Sequence, residues 1–507
     1  MTTSARERFV FTVGMNLLRS AISFTTGMLV ARWLGPSRYG SMAFLLGTFI
    51  GLRALLDMGT SSAFFTFLSQ RPRSWRFVRG YLFWLAAQFL LPFAVIALLL
   101  PTGWVAAIWH GEDRSLVVLA FAAAFLQNSV WPVVQQAGES QRRTYLVQSI
   151  GVVIVVMHFI AMGAFWWFGL LGLYAVLGAI ALEYLVAAIV ALSRLSYAVD
   201  EPLESRESSL KKYVRYCLPL VPFAVLSFAS EFADRWLLQR FGGGVQQAFY
   251  AVGAQLASIA LIATSSILSI FWKEIAEANH RGDHARMGEL YHRVSRLLFF
   301  AGAVIAGMLI PWSRELLHLL LGAAYVGGAT TLMIMLLYPV HQSMGQIGAT
   351  MMYATERVAL QVAIGTGTML LGITMTYLVI APPTAPVPGF GLASTGLALK
   401  MVATQVIAVN ILAYVLARIS KWPFDWIYQP ASLLGCLSLG WIAHAAVEGL
   451  VPSAVPILVR IGIGAVLYSA LIGGFLLVVP ALAGLSRAEL VADGHRMVQR
   501  LGEWRDG

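Results

Sequence analysis

The sequence predicts an all-α integral membrane protein with about fourteen transmembrane helices. Three observations carry this expectation. Of 507 residues, 59% are hydrophobic and 12% are charged, with a mean hydropathy of +0.75, whereas a soluble chain is about a quarter charged. The apolar residues lie in long runs of roughly 18 residues or more, the length that crosses a hydrocarbon core of about 30 Å. Lys and Arg concentrate in every second loop, as they do when alternate loops face the cytoplasm. Strands of a transmembrane barrel are short and alternate in hydrophobicity, so that class is excluded.

The runs fall at residues 9–31, 41–68, 81–100, 115–134, 144–168, 171–193, 213–239, 248–271, 297–312, 329–349, 358–380, 391–417, 430–448 and 457–480. Arg6 and Arg8 precede the first run and no small-residue cleavage site follows it, so it is expected to be a retained helix rather than a signal peptide. The longest polar connector between early runs, 193–212, carries Asp200, Glu201, Glu204 and Glu207 around Pro202, the composition of a solvated linker. Six helices precede it, so the second half restarts in the orientation of the first. The expected organisation is an N-terminal six-helix lobe (1–192), a cytoplasmic linker (193–212), a C-terminal six-helix lobe (213–420), two extra transmembrane helices (421–485) and a cytoplasmic amphipathic tail (486–507). The two restarts look alike, with Arg32-Trp33-Leu34-Gly35 before Tyr39 in one and Arg240-Phe241-Gly242-Gly243 before Tyr250 in the other. A repeat about an axis along the membrane normal is a transporter arrangement, with binding between the halves.

The formal charge of +11 would ordinarily raise nucleic acid as a partner, but its distribution points to membrane lipids. Of 35 Lys and Arg, 25 lie in the loops and termini on the N-terminal side and 6 on the other: Arg32, Arg38, Arg114, Arg240, Arg314 and Arg460. That bias places both termini in the cytoplasm, with Arg71/Arg73/Arg76/Arg79 and Lys211/Lys212/Arg215 against anionic headgroups. No nucleic-acid surface is left over. Cys217 and Cys436 lie far apart in apolar runs and form neither a disulfide framework nor a zinc site.

Residues 16–63, with Leu34-Gly35-Pro36-Ser37-Arg38-Tyr39-Gly40 and Leu55-Leu56-Asp57-Met58-Gly59, resemble bacterial Wzx-type polysaccharide flippases of the multidrug/oligosaccharidyl-lipid/polysaccharide exporter superfamily. So does Asp234-Arg235-Trp236-Leu237-Leu238 followed by Phe241-Gly242 and Tyr250. The resemblance covers roughly residues 9–420. It implies two six-helix lobes around a central cavity, alternately open to each side of a bacterial cytoplasmic (inner) membrane. The implied substrate is an undecaprenyl-pyrophosphate-linked oligosaccharide, with polysaccharide polymerase and glycosyltransferases as implied partners. Two extra helices also occur in the related lipid II flippases, where they help to form a groove for the lipid tail, so lipid II is an alternative cargo.

A pyrophosphate crossing hydrocarbon needs shielding cations, which makes ionisable residues inside the spans informative. These are Arg19, Arg53, Arg235 and Lys400 against Asp57, Glu183, Glu231 and Asp234, a balanced set. Arg53 with Asp57, and Glu231 with Arg235, are spaced i, i+4 and are expected to neutralise one another. Arg19 has no such acid and shares a helical stripe with Asn16, Ser20 and Ser23, a polar face suited to a cavity. Arg19 is therefore the first candidate for the pyrophosphate, with Asn16 and Ser23 beside it, Arg53 second and Lys400 third; the plainer alternative is that the arginines tie helices together. Lys400 stands near a helix end, where its stem could snorkel. Carboxylates held in a membrane suit gating or a coupling H⁺ or Na⁺. Glu183 is left open between these roles, and Asp234 beside Arg235 is expected to be a fixed pair at an outer gate.

Other features point away from an enzyme. No Gly-Lys-Ser/Thr phosphate loop and no Asp-x-Asp occur, and no loop is long enough for a soluble catalytic domain. His280, Asp283, His284, Glu289 and His292 are expected to be incidental to a solvated loop, and no other cofactor is expected. Gln255, Ser258, Ser265 and Ser269 form a stripe that suits helix packing, and Pro339 before His341, Gln342 and Gln346 suggests a hinge. Two further classes remain open: an ion-coupled multidrug exporter, which would show cavity carboxylates, and a membrane scaffold, which would need no intramembrane charge.

Overall fold

The computed structural model describes residues 5–70, 73–195, 206–261 and 264–486. Arg71, residues 196–205 of the expected linker, nearly all of the expected tail (487–507) and the side chains of Ser265 and Ser269 lie outside it. The described elements are helices without a strand, because a helix satisfies its own backbone hydrogen bonds where water is missing. They are α1 (Ala5–Asp57), α2 (Thr60–Gln70), α3 (Trp75–Ala94), α4 (Thr102–Ile108), α5 (Arg114–Phe125), α6 (Trp131–Ser140), α7 (Thr144–Trp167), α8 (Leu173–Arg194), α9 (Arg206–Cys217), α10 (Val221–Ser258) and α11 (Thr264–His280). There follow α12 (His284–Leu309), α13 (Ser313–Leu321), α14 (Ala329–Met335), α15 (Tyr338–Ala354), α16 (Val358–Ile380), α17 (Ala393–Ser420), α18 (Tyr428–Leu450) and α19 (Ile457–Val478). A π-helical turn, Leu126–Val130, joins α5 to α6.

Twelve helical stretches are long and apolar enough to cross a membrane. Two of them, Phe11–Asp57 with 47 residues and Leu210–Leu261 with 52, measure about 70 Å or more at 1.5 Å per residue. That is over twice the hydrocarbon thickness, so each holds two of the fourteen expected spans.

The first of these stretches turns at Gly35, whose φ of +74° precedes Pro36. Before the turn α1 runs alongside α7: Phe11 meets Tyr145 at 4.4 Å, Arg19 lies against Gly151, and Trp33 stacks on Trp166 at 5.0 Å. After the turn the second arm descends past other partners. Phe44 lies 5.8 Å from His110, Phe49 lies 5.4 Å from Phe121, and the Leu56 carbonyl accepts from Gln88 at 2.6 Å. α10 repeats the device at Gly243, with φ +69°. Arg32 and Arg240 each stand three residues before the turning glycine, so the likeness of the two restarts is a likeness of backbone conformation.

One expected span is corrected. The run 41–68 does not form one helix, because α1 ends at Asp57 and the chain passes through Met58 (φ +43°) and Gly59 (φ +82°) before α2. The Asp57 carboxylate accepts from the Ser61 N–H at 2.8 Å, the Ser61 hydroxyl at 2.8 Å and the Thr60 hydroxyl at 3.0 Å. A side-chain acceptor that satisfies the free N–H groups of a following helix favours a new start over a continuous one.

By packing, the chain forms two compact units, Met1–Ala251 with Ile373–Ser394, and Val252–Gly372 with Thr395–Gly507. In the first unit the two turns meet: a Cβ on Gly40 would lie 1.7 Å from the carbonyl oxygen of Gly244. Nearby, Thr376 donates to Asp234 at 2.6 Å and the Ser394 hydroxyl donates to Gln246 at 2.5 Å. In the second unit α12 lies among α11, α15 and α18, with Phe271, Ile275, Tyr291, Leu298, Ile347 and Leu412 in the core. The two extra helices are fastened to α12. A Cβ on Gly440 of α18 would lie 1.9 Å from the Gly307 carbonyl oxygen, and Tyr468 of α19 donates to the Val304 carbonyl at 3.0 Å. Arg296 donates to Asp425 and to the Ala481 carbonyl, each at 2.8 Å.

The close approach at Gly40 sets an expectation for stability. Gly40→Ala forces backbone apart and costs about 1–3 kcal/mol, so the Tm of the purified protein falls. Gly178→Ala, at a helical glycine with open space around it, leaves Tm unchanged or higher.

Candidate functional site

The first unit gathers polar side chains around Arg19. Its Nη2 donates to Asn16 Oδ1 one turn earlier at 3.1 Å. A Cβ on Gly151 would lie 3.2 Å from Arg19 Nη1 and 3.9 Å from the Trp131 ring, so glycine opens the space that the guanidinium fills. Tyr184 of α8 lies within electrostatic reach of Arg19, and its hydroxyl accepts from Gln127 at 3.3 Å. Gln127 sits in the π-helical turn, where the extra residue shifts the side-chain register. Among the described residues no carboxylate pairs with Arg19, whose only hydrogen bond is to Asn16. Ser23 is exposed on the same arm of α1.

The two expected local ion pairs do not form. Arg53 makes no hydrogen bond or ion pair among the described residues, because the Asp57 carboxylate is taken by the start of α2. Arg53 stands one turn on from Phe49, on the face that meets Phe121 of α5. Glu231 is exposed and makes no hydrogen bond or ion pair among the described residues, close to Gly51 and within electrostatic reach of Arg235. Arg235 has its guanidinium 5.1 Å from the Tyr250 ring centre and its Nε close to Gly47. A cation over an aromatic face gains electrostatic attraction without a carboxylate. Arg235 forms no ion pair among the described residues, and Asp234 reaches Thr376 on α16. The expected Asp234–Arg235 pair is thus replaced by a tie between helices.

Lys400 lies in the second unit and does not snorkel. It is 4% exposed, and its side chain packs against Gly372 of α16, where a Cβ would come 3.2 Å from Cε. Glu183 meets a residue that charge counting passed over: its Oε2 lies 2.9 Å from Nδ1 of His158 on α7. A histidine in the middle of an apolar run is the signal that could have found this pair, had His not been counted as neutral. In the loop before α12, Asp283 caps that helix by accepting from the Arg286 N–H at 2.9 Å. Gln135 and Gln148 both donate to Glu139 of α6, and His341 is buried edge-on to Phe299 at 5.2 Å.

At the glycine-turn end of the first unit, His110 has a left-handed φ of +52° and a ring 5.2 Å from Trp236. Its Nε2 is buried without a hydrogen bond. Burial, and then the Arg240 guanidinium, push its pKa below the ordinary 6.5, partly offset by a hydrogen bond to the Trp236 backbone. The folded state therefore prefers the neutral ring. Its stabilising contribution is complete above pH 6.5 and is lost as pH falls through the lowered value. A Tm series against pH should show this acid-side loss in the wild type and a weaker one in His110→Gln.

Residues 6–271, more than half of the chain, match the family described as polysaccharide biosynthesis protein. No curated protein matches the chain. Among solved structures, the lipid II flippase MurJ in an inward closed conformation is similar at a TM-score of 0.67 and 13% identity, over 92% of this chain and 99% of that one. An inward-facing multidrug resistance MATE family transporter of the MOP superfamily has a TM-score of 0.60 and 13% identity, over 80% of this chain and 96% of that one. The MATE transporter VcmN of Vibrio cholerae has a TM-score of 0.53 and 15% identity, over 81% and 97%. At these identities the likeness is one of fold. The chain belongs to the polysaccharide biosynthesis protein family, with the fold of the flippases and transporters of the multidrug/oligosaccharidyl-lipid/polysaccharide exporter superfamily.

Proposed function

We propose that the chain is a flippase that carries an undecaprenyl-pyrophosphate-linked oligosaccharide from the cytoplasmic to the periplasmic leaflet by alternating access, for cell-surface polysaccharide synthesis. Family and fold support a flippase or transporter, and the anionic cargo rests on Arg19. This guanidinium is inside a membrane span, held by a neutral amide and unpaired with any described carboxylate. A fixed cation in low dielectric is costly unless an anion visits it, and the planar fork of Arg suits phosphate oxygens. Tyr184 beside it offers a hydroxyl and a ring edge to the cargo, while buried Trp131 backs the guanidinium. Arg53, without a local partner, is the second contact for the diphosphate, with Asn16 and Ser23 completing the polar face. Lys400, in the second unit, is assigned to substrate binding. Asp57, Glu231, Asp234 and Arg235 are assigned to gating, and Glu183 to a coupling H⁺ or Na⁺.

The location that follows is the bacterial cytoplasmic membrane, with both termini in the cytoplasm as the 25 to 6 distribution of Lys and Arg directs. A polymerase and glycosyltransferases that consume and supply the lipid-linked glycan are the expected partners. Glu231, exposed and outside any hydrogen bond or ion pair among the described residues, favours a second reading, export of small cationic compounds. Lipid II shares the polyprenyl pyrophosphate and is separated from the first cargo only by its glycan.

Deletion of the gene, followed by mass spectrometry and sidedness labelling of lipid-linked glycans, tests the assignment. Precursor should accumulate on the cytoplasmic face; Arg19→Ala should fail to rescue and Arg19→Lys should rescue in part. Unchanged glycan sidedness, with raised sensitivity to cationic drugs rescued by the wild type and not by Glu231→Gln, would establish the exporter instead. Accumulation of lipid II alone would move the cargo to the peptidoglycan precursor.

A further inference from the structure

α9 and α10 form one helical run interrupted by a three-residue 3₁₀ turn, Leu218–Leu220. A 3₁₀ stretch inside a helix often marks a hinge, and two prolines produce this one. Pro219 and Pro222 carry no N–H, so neither donates to the carbonyl four residues back. The Leu218 carbonyl accepts from the Val221 N–H instead, and the Arg215 carbonyl has no i+4 donor at Pro219. Bending here therefore gives up few backbone hydrogen bonds.

α9 packs against α2 and holds to the first unit by one face. Tyr213, Cys217 and Leu220 are spaced i, i+4, i+7 and share that face. The Tyr213 ring meets Phe67 of α2 edge-on at 5.1 Å and lies 6.3 Å from Tyr81 of α3, nearly parallel to it. Tyr216 meets Phe67 at 6.2 Å. Cys217 is buried within electrostatic reach of Asp57. Leu220 sits on the break between α1 and α2, where a Cβ on Gly59 would come 2.5 Å from Leu220 Cδ1. Leu210, Val214 and Leu218, at i, i+4, i+8, are exposed.

The surface that receives α9 is braced from several sides. Arg73 ties α2 to α3 by donating to the Phe67 carbonyl at 3.1 Å and lying 4.6 Å from the Phe77 ring centre. Phe64 stacks on Tyr81 at 4.2 Å, and Thr60, bonded to Asp57, lies 3.3 Å from the Tyr81 hydroxyl. An element attached by a few rings beyond a hinge opens before such a surface does. Arg53 stands one turn before Asp57, so the contact lies just beyond Arg53 towards the end of α1.

We propose that α9 is a hinged lid that closes the cytoplasmic end of the first unit below Arg53 and swings at Leu218–Pro222 to admit a diphosphate headgroup from the cytoplasmic leaflet. Leu220, seated on Gly59, is the pivot, and Tyr213 with Tyr216 is the catch. Attraction between aromatic rings is short-ranged, so the catch is firm when closed and does not resist motion once open. Loss of the Tyr213 ring, which makes two of the contacts, moves the closed-to-open ratio by about tenfold. Admission of a headgroup rests on the function proposed above; the hinge and its catch do not.

The test follows the lid in the purified full chain in nanodiscs. Spin labels at Leu210→Cys and Arg79→Cys, both exposed positions, in a Cys217→Ala/Cys436→Ala background, report its distance from α3. Double electron–electron resonance should show a longer distance that gains about tenfold in population in Tyr213→Ala and vanishes in Pro219→Ala/Pro222→Ala, where the hinge regains its N–H groups. A distance that Tyr213→Ala leaves unchanged overturns the lid. In the chain with both native cysteines, Tyr213→Ala should speed maleimide modification of Cys217 and not of Cys436, which is buried in the second unit. Equal acceleration of both reports general unfolding and also overturns the lid. A short reducible cross-link between Phe67→Cys and Tyr213→Cys, in the same cysteine-free background, should abolish binding of farnesyl pyrophosphate, and reduction should restore it. Binding that persists with the lid locked overturns entry by this route. Binding absent in every form overturns the anionic cargo and the lid's part in admitting it, while the distance populations still decide the hinge.

Discussion

Hydrocarbon supplies no hydrogen bonds, and every part of this chain answers that constraint. The backbone is helical across the spans because only a helix closes its own N–H and C=O groups. Where helices must turn back within a long apolar stretch, Gly35 and Gly243 take left-handed φ values closed to most other residues. Where a helix ends near the span, Asp57 supplies the acceptor that water would otherwise provide. The close backbone contacts of Gly40 with Gly244 and of Gly307 with Gly440 follow from the same solvent. Without a hydrophobic force between helices in lipid, close van der Waals contact does more of the work of holding them together.

The same constraint sorts the charges. Asp234 is tied to Thr376, Glu183 to His158, and Asp57 to the first turn of α2. Arg235 lies over Tyr250. What remains among the described residues of the first unit is Arg19 with an amide for company, Arg53 without a partner, and exposed Glu231. The balanced intramembrane charge of the sequence therefore conceals a local arrangement in which Asp57, Glu183 and Asp234 are satisfied by hydroxyl, N–H and imidazole groups while Arg19 and Arg53 have no carboxylate bonded to them among the described residues. That arrangement makes the anionic cargo a physical argument beside the family membership.

Much of this was legible in the sequence. Length and hydropathy place the spans, because crossing hydrocarbon is a nearly local requirement, and the recurrence of Arg, an apolar residue and Gly marks the likeness of the two restarts, which the structure resolves as a shared turn. Arg19 was legible as a cation without a nearby acid. The i, i+4 pairs were not, since spacing states which groups could meet and not which tertiary partners outbid them: Ser61 takes Asp57, and Tyr250 takes Arg235. The burial of Lys400 against Gly372 and the His158–Glu183 contact each join separate helices. Neither is encoded in any one segment, and both needed the packing to become visible.

The central claim is that Arg19 receives the diphosphate of a polyprenyl-linked cargo. Its most direct test is a cryo-electron microscopy structure of the full chain in nanodiscs with undecaprenyl pyrophosphate. Diphosphate density is expected within about 3 Å of the Arg19 guanidinium, between the first arm of α1 and the Gly151 face of α7. Diphosphate seated elsewhere, with Arg19 still bonded to Asn16 alone, would contradict it.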